Sequence, residues 1–214
     1  YRCVITNPDN KPCKLFTFNK FNHYTSIDIE HALAYGLSIE LIQDDEPNFL
    51  YYSKEKLVNG AFLFRSHIDE VYELKSKGVE GAKLIMNILW GALCEKNSRK
   101  YNLDCDQRID FSDCNIDYIG FTGSQVETKV MPYDKPFYLT NYARIKPFIL
   151  AYGRFVCYKK FKHHEDDIIR VHTDGIATRS KHDDFKMGDE LGQIKYIYIE
   201  YGEITGLNKL KGFK

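Results

Sequence analysis

Apolar residues recur at helical spacing in three stretches of the chain. Between Asn59 and Lys77 they predict an amphipathic helix, with apolar positions at Phe62, Phe64, Ile68, Val71, Tyr72 and Leu74. After Gly78 a second helix is apolar almost all round, which predicts that it is buried. Residues 139–160 form the third pattern, an amphipathic helix.

The first 60 residues predict short strands around one helix. Two strands are expected within residues 1–18, joined by a turn at 7–10, and two more at 38–43 and 48–53. The helix between them has Thr25 or Ser26 as its N-cap and Gly36 as its stop.

The second half of the chain predicts strands separated by polar loops. Residues 97–136 are polar and irregular, with short strands at 116–121 and 127–131. A hairpin is expected from 168–171 and 176–177, and a further strand over 194–204. The predicted fold class is therefore α+β, an antiparallel sheet with helices packed on one face.

Composition narrows the functional classes. Thirty basic and thirty acidic residues balance, which argues against a protein that binds nucleic acid over its whole surface and leaves room for a local basic groove. Six cysteines without a Cys-x-x-Cys pair predict thiols in a reducing compartment. No run approaches the roughly 20 apolar residues of a membrane span, so we expect an intracellular protein without a membrane partner.

The second predicted helix carries polar residues that need an explanation. Lys83, Asn87 and Trp90 or Gly91 fall on one side of it. Such a stripe can line a cleft in which Lys83 meets an anion such as a triphosphate. The alternative is that Lys83 reaches solvent while Asn87 forms hydrogen bonds in the core.

The predicted hairpin carries Asp174 at its tip. A carboxylate there can hold Mg²⁺, yet one carboxylate is too few for a two-metal site. Alternatively, Asp174-Gly175 is only a turn pair, since Asp-Gly is common in hairpins. Nearby, His163-His164 with the acidic residues 165–167 is predicted to be a solvated loop rather than a metal cluster.

Taken together and in this order, the two segments resemble motifs of family B DNA polymerases. The helix matches a fingers motif, Lys-x-x-x-Asn-Ser-x-Tyr-Gly, with Ile88 in the Ser position and Trp90 in the Tyr position. Residues 170–175 match a palm hairpin, Tyr-x-Asp-Thr-Asp-Ser. The flanking segments at 142–144 and 191–195, and the upstream segment at 22–42, also resemble that family. The likeness covers nearly the whole chain, although each motif is degenerate.

The resemblance implies a role for each matching residue. Lys83 would neutralise the triphosphate of an incoming deoxynucleotide, and Asn87 and Trp90 would shape the pocket of the new base pair. Gly91 would let the template approach the helix closely. Asp174, with His172 beside it, would bind the catalytic Mg²⁺ or Mn²⁺.

The resemblance also implies partners and an organisation. Primer–template DNA would be contacted by lysines whose alternative is a plain solvated surface: Lys195, Lys209 and Lys211. The implied organisation is an upstream palm or insertion segment at 1–60, fingers helices at 61–97, an irregular insertion at 98–138, and a palm helix, hairpin and strand at 139–214. The insertion resembles the protein-primed branch of viruses and mobile elements, where a terminal protein serves as primer.

Two departures from the family pattern limit the expected activity. His172 replaces the first aspartate of the palm hairpin, and imidazole is a poor ligand for Mg²⁺. The family's first palm motif, Asp-x-x-Ser-Leu-Tyr-Pro, does not occur in the chain, and the family order places it upstream of Tyr1. We therefore expect an excised fragment that is inactive or nearly so alone, or else a polymerase-like module that binds nucleic acid or a replication partner without chemistry.

Overall fold

The computed structural model describes residues 1–9, 13–104, 107–172, 175–188, 190, 192–196, 201–206 and 209–213. Within them the fold is α+β, as predicted. The helices are α1 (Ser26–Tyr35), α2 (Gly60–Ser76), α3 (Ala82–Ala92) and α4 (Ile145–Phe161). The strands are β1 (Cys3–Thr6), β2 (Ser38–Leu41), β3 (Arg99–Asp104), β4 (Cys114–Thr122), β5 (Gln125–Pro132), β6 (Ile168–His172), β7 (Gly175–Thr178), β8 (Tyr201–Gly206) and β9 (Lys209–Phe213).

The strands pair as four small antiparallel sheets in the part of the chain that the structure describes. Three are two-stranded, β1–β2, β6–β7 and β8–β9, and one is three-stranded in the order β3–β5–β4. The chain divides into two compact units, one of Tyr1–Asn48 with Ala151–Lys214 and the other of Phe49–Leu150. The division into four segments expected from the sequence stays a prediction.

Local sequence signals set the ends of α1. Thr25 is the N-cap: its hydroxyl accepts from the Asp28 backbone N–H, and the Asp28 carboxylate accepts from the Thr25 backbone N–H at 2.9 Å. This reciprocal capping box satisfies two otherwise unpaired donors. Gly36 ends the helix with φ +83°, a left-handed conformation that favours glycine. Both predicted ends of the helix are confirmed.

Two apolar clusters form the core of the unit made by the N-terminal and C-terminal segments. The first joins α1 to the β1–β2 pair and consists of Cys3, Ile5, Phe16, Tyr24, Ala32 and Leu37. The second joins α4 to the start of β6 and consists of Leu15, Phe155, Tyr158 and Ile168. Since Ile168 is fully buried, the second cluster fixes the β6–β7 hairpin on α4.

An ion pair joins α1 to α4 beside these clusters. Arg154 Nη2 lies 2.7 Å from Asp28 Oδ1, and Asp28 is buried. Because the other Asp28 oxygen serves the capping box, one carboxylate both begins α1 and anchors α4. Burial of such a charge is tolerated only when it is paired and hydrogen-bonded.

His31 is an ionisable group enclosed by aromatic rings. Its ring centroid lies 5.1 Å from that of Phe16, 5.2 Å from that of Phe155 and 4.8 Å from that of Tyr158. Neither ring nitrogen has a hydrogen-bond partner among the described residues. Burial lowers the pKa of His31 from 6.5 to about 4, so the folded protein holds this imidazole neutral.

We expect His31 to make the protein less stable in mild acid. The unfolded chain takes up a proton near pH 6.5 that the folded chain refuses until about pH 4. The free energy of unfolding should therefore be intact above pH 6.5 and fall by about 3 kcal/mol as the pH drops to 4. Urea unfolding of the wild type and of His31→Phe across this range measures the effect. Parallel pH profiles for the two proteins would contradict it.

The second unit contains α2, α3 and the three-stranded sheet. The short strands predicted at 116–121 and 127–131 are confirmed as β4 and β5. Residues 99–104 add the strand β3, which was not predicted, and the three strands form one antiparallel sheet with β5 in the centre. Strand β3 escaped notice because its sequence is polar and its position is at an edge. An ion pair at 2.7 Å between Lys100 and Glu127 crosses it to β5.

Helix α3 forms where predicted but is not buried. Among its residues only Ala82 is buried, while Leu84, Ile85 and Ile88 are about half exposed or more. The helix packs on α2 through Trp90, whose ring centroid lies 5.5 Å from that of Phe64. One neighbouring helix covers one stripe of an all-apolar helix and leaves the other sides open.

Four further predictions differ from the structure in whole or in part. Residues 13–18 and 48–53 form no strand; Leu15 and Phe16 instead supply side chains to the two apolar clusters. Helix α4 begins at Ile145 rather than near 139, because the Pro147 ring would clash with a helical carbonyl four residues earlier. Of the strand predicted over 194–204, Ile194 forms an isolated bridge and 201–206 form β8, while 197–200 lie outside the described residues.

Candidate functional site

The β6–β7 hairpin forms as predicted. Its register pairs Val171 with Ile176 and His172 with Gly175. The side chain of His172 is exposed. Thr173 and Asp174, which connect these partners in the sequence, lie outside the described residues. The prediction that Asp174 binds a catalytic metal therefore stays a prediction, and the two strands on either side of it are established.

Polar contacts hold the chain where it enters the hairpin. The backbone N–H of Lys14 donates to Glu165 Oε1 at 2.6 Å, and its ammonium donates to the Ile168 carbonyl at 2.6 Å. The Tyr35 hydroxyl also donates to Glu165 Oε1. Burial and this carboxylate raise the pKa of Tyr35 above its usual range, so the phenol stays a donor.

Hydrogen bonds join the segment that follows β7 to the segment that precedes β6. The Arg179 guanidinium donates to the Asp166 carbonyl at 2.7 Å, and the Ser180 backbone N–H donates to Asp167 Oδ2 at 2.9 Å. That backbone donor, followed by His182, lowers the pKa of Asp167. Two sets of contacts therefore fix the base of the hairpin. The second apolar cluster packs β6 on α4, and these hydrogen bonds join the residues just before β6 to those just after β7.

Four predicted nucleotide-binding residues lie together on α3. Lys83 and Asn87 are exposed one helical turn apart, and Trp90 is partly buried against Phe64. Apart from its chain neighbours and the backbone of its own helix, no described atom lies within 4 Å of the place where a Cβ of Gly91 would be, so this side of the helix is open to close approach. The alternative in which Asn87 forms hydrogen bonds in the core does not hold, because its side chain is exposed.

The predicted DNA-binding lysines lie near the end of the chain. Lys195 is exposed. Lys209 and Lys211 lie on β9, where their backbones pair with Gly206 and Glu203 of β8. These three belong to the same compact unit as the hairpin, whereas the four residues on α3 belong to the other.

A cluster of histidines and aspartates at the hairpin base was missed by sequence reasoning. His164 Nε2 lies 2.7 Å from Asp184 Oδ2, and His182 Nε2 lies 2.8 Å from Asp167 Oδ2. The two imidazole rings are in contact, with centroids 4.0 Å apart and ring planes inclined at 39°. The hydrogen bond from His164 lowers the pKa of Asp184. We call His164, His182 and Asp184, with Asp167 behind them, the hairpin-base cluster.

Hairpin symmetry explains how the hairpin-base cluster assembles and how it could have been found. Ile168 pairs with Thr178. His164 stands four residues before the first of these partners, and His182 stands four residues after the second. Antiparallel strands bring residues at equal distances from the turn opposite each other, and the register shift between Ile168 and Arg170 moves the position opposite His164 from residue 183 to residue 182. Inspecting residues 162–167 alone shows only adjacent charges, which predict a solvated loop.

Comparison with known proteins gives no relative from which a function could be transferred. No family model, curated protein or solved structure matches the chain. Among the described residues, no helix has both the length and the apolar character needed to cross a bilayer. Function therefore has to be inferred from the residues and their geometry.

Proposed function

We propose that this chain is the palm and fingers segment of a family B DNA polymerase, which extends a primer 3′ end on a DNA template. One observation carries the proposal: two polymerase-like motifs occur in the family's order, each on the element that it requires. Lys83, Asn87, Trp90 and Gly91 lie on one helix. The later motif, residues 170–175, begins in β6 and ends in β7, with 173 and 174 outside the described residues.

Packing around the hairpin supports a palm-like arrangement. In polymerases of this family the palm is an antiparallel sheet with helices on one face. Here α4 packs on the hairpin through Phe155, Tyr158 and Ile168, and the contacts between Lys14, Glu165 and Ile168 hold the same end. A rigid base is what a metal-binding carboxylate at a hairpin tip needs, since a catalytic group must be held within about 0.5 Å of its productive position.

In the proposed nucleotide-addition reaction, each motif has a role. The primer 3′ hydroxyl attacks the α-phosphate of the incoming deoxynucleoside triphosphate in line, and pyrophosphate leaves. The Lys83 ammonium neutralises the triphosphate, while Asn87 and Trp90 shape the base-pair pocket and Gly91 admits the template. Mg²⁺ or Mn²⁺, when bound, stabilises the attacking and leaving oxygens.

The metal donors in this chain fit that chemistry only in part. Asp174 is a suitable ligand for Mg²⁺, whereas the exposed imidazole of His172 is a poor one. A two-metal site needs at least one more carboxylate. In the proposal that carboxylate comes from the Asp-x-x-Ser-Leu-Tyr-Pro motif of a longer protein, so the isolated chain has little or no activity.

The proposal also specifies the binding partners and the cellular location of the protein. Primer–template DNA and deoxynucleoside triphosphates are the substrates, and a terminal protein is the primer if the chain belongs to the protein-primed branch. Lys195, Lys209 and Lys211 contact the primer backbone by charge, without reading its sequence. Such an enzyme works inside the cell, in the host cytoplasm or nucleus if it is viral.

One observation favours a second candidate function. His172 stands at the hairpin position where the family has its first aspartate, and Gly175 replaces the final serine. These changes fit a polymerase-like module that binds nucleic acid or a replication partner without chemistry. In that case Asp174→Ala leaves DNA or partner binding unchanged and there is no extension activity to lose.

The coding sequence upstream of the Tyr1 codon separates the two candidates. The polymerase proposal predicts an in-frame Asp-x-x-Ser-Leu-Tyr-Pro within about a hundred codons, the span of one domain. A reading frame that starts at or near Tyr1 would remove the second carboxylate, and the binding module would then be the better account.

A further inference from the structure

We propose that His164, His182 and Asp184 form a binding site for a transition-metal ion of the Zn²⁺ class, separate from the Mg²⁺ site expected of a polymerase. One ligand atom from each of the three residues can be chosen so that all three atoms lie within 4.8 Å of one another. The proposal does not rest on polymerase activity, because it concerns a metal that holds the fold of this chain.

The donor set selects the class of ion. Two imidazoles and one carboxylate suit Zn²⁺ and its neighbours in the first transition row, whereas Mg²⁺ requires oxygen ligands in octahedral geometry. Three protein ligands leave a fourth tetrahedral position for water. Cysteine takes no part, since the cluster found among the described residues contains only histidine and aspartate.

Small side-chain movements would bring the three ligand atoms to the spacing of a loaded site. Ligand atoms bound to Zn²⁺ at 2.0–2.1 Å in a tetrahedron stand about 3.3 Å apart. The pair formed by His164 and Asp184 is closer, at 2.7 Å, because a hydrogen bond joins it. Binding replaces the Nε2 hydrogen of His164 with the ion, and the neutral imidazole then carries its one hydrogen on Nδ1, exchanged through solvent. The Asp184 side chain is 59% exposed, so it can move to the required distance without disturbing the core.

Asp167 supports the site through a hydrogen bond to one of the two histidines. It accepts from His182 Nε2 at 2.8 Å and is itself held by the Ser180 backbone N–H at 2.9 Å. That arrangement leaves the Nδ1 lone pair of His182 for the ion. A carboxylate behind a metal-binding histidine fixes the ring orientation and strengthens the ligand. The Asp167 carboxylate therefore acts as a positioning group rather than a ligand.

The position of the site gives it a structural role. His164 lies in the 3-10 helix Lys162–Asp167 that leads into β6, and His182 and Asp184 lie after β7. An ion at this point joins the segment that enters the hairpin to the segment that leaves it. Because metal binds the folded state only, it should stabilise this base against local opening.

Titration of the 214-residue chain with ZnCl₂ tests the proposal, followed by calorimetry and by the visible absorption spectrum of a Co²⁺-substituted sample. We expect one Zn²⁺ per chain, a tetrahedral Co²⁺ spectrum, and no comparable response to Mg²⁺. At a hundredfold excess of Zn²⁺ over its Kd, the unfolding midpoint should rise by about 5–10 °C.

Variants decide whether the hairpin-base cluster is the site. His182→Ala and Asp184→Asn should each weaken Zn²⁺ binding at least tenfold, the loss expected for a ligand or its outer partner. His163→Ala, a change at the exposed neighbouring histidine, is the matched control and should bind as the wild type does. Since Asp184 is exposed, its variant should fold even if His182→Ala does not. No one-to-one binding, or equal binding by Asp184→Asn and His163→Ala, would overturn the proposal whatever the polymerase assays show.

Discussion

In a polymerase that contains this chain, Asp174→Ala should reduce Mg²⁺-dependent primer extension by several orders of magnitude. The carboxylate is proposed to hold the ions that stabilise both reacting oxygens, and no other carboxylate of the hairpin motif can replace it, since His172 occupies the position of the motif's first aspartate. Loss of an essential ligand removes that stabilisation from the transition state. Single-turnover extension of a labelled primer measures the effect.

Binding and a matched carboxylate separate catalysis from folding in this experiment. Primer–template affinity, measured by fluorescence anisotropy, should change little in Asp174→Ala, because DNA is held mainly through phosphate contacts. Asp166→Ala removes an exposed carboxylate that is close in sequence, and it should extend primers as the wild type does. Extension by Asp174→Ala near the wild-type rate would contradict the catalytic role proposed for Asp174.

Lys83→Ala should lower kcat/KM for the incoming nucleotide by about 10- to 100-fold. A charged hydrogen bond to phosphate is worth roughly 1.5–3 kcal/mol, which corresponds to that range. Lys83 is exposed on α3, so its replacement should not disturb folding. Steady-state incorporation of a single nucleotide, with its concentration varied at saturating primer–template, gives the ratio.

Two further variants test that the loss belongs to Lys83 and its charge. Lys83→Arg keeps the positive charge and should recover most of the activity, whereas Lys75→Ala on α2 removes an exposed lysine elsewhere in the same unit and should have no effect. A uniform fall in DNA affinity for Lys83→Ala, with nucleotide kinetics unchanged, would show that this lysine contacts DNA rather than the triphosphate.

Sequence reasoning succeeded where the governing interactions were local. The capping box of Thr25 and Asp28 and the left-handed Gly36 set the ends of α1, and each was visible in a few neighbouring letters. The same holds for the hairpin, whose apolar arms flank a polar pair. Propensity and periodicity are sufficient in such cases because the partners lie within a few residues of one another.

Prediction failed where the outcome depended on distant partners. Helix α3, which is apolar on most sides, was expected to be buried. Its exposure depends on how many other elements cover it, and the local sequence does not give that number. Strand β3 is stabilised by backbone pairing with β5, so its polar sequence did not predict a strand. Residues 13–18 look like a strand but contribute Leu15 and Phe16 to two separate clusters.

The candidate sites show the same division. Lys83, Asn87, Trp90 and Gly91 were found together because one helix carries them all. The hairpin-base cluster was missed because His164 and His182 are 18 positions apart and come together only when β6 pairs with β7. Only the adjacent residues 163–167 were considered as a metal cluster. Counting outward from the predicted turn would have placed His164 within one residue of His182, since the register shifts by one between Ile168 and Arg170.

Templated incorporation tests the central claim most directly. The longer protein that contains this chain would be incubated with Mg²⁺, a labelled primer and four templates that differ only in the next base. The polymerase proposal predicts that each template directs addition of its complementary deoxynucleotide, and that Asp174→Ala abolishes all four reactions. A protein that binds these primer–templates yet adds no nucleotide, or adds one without regard to the template base, would contradict it.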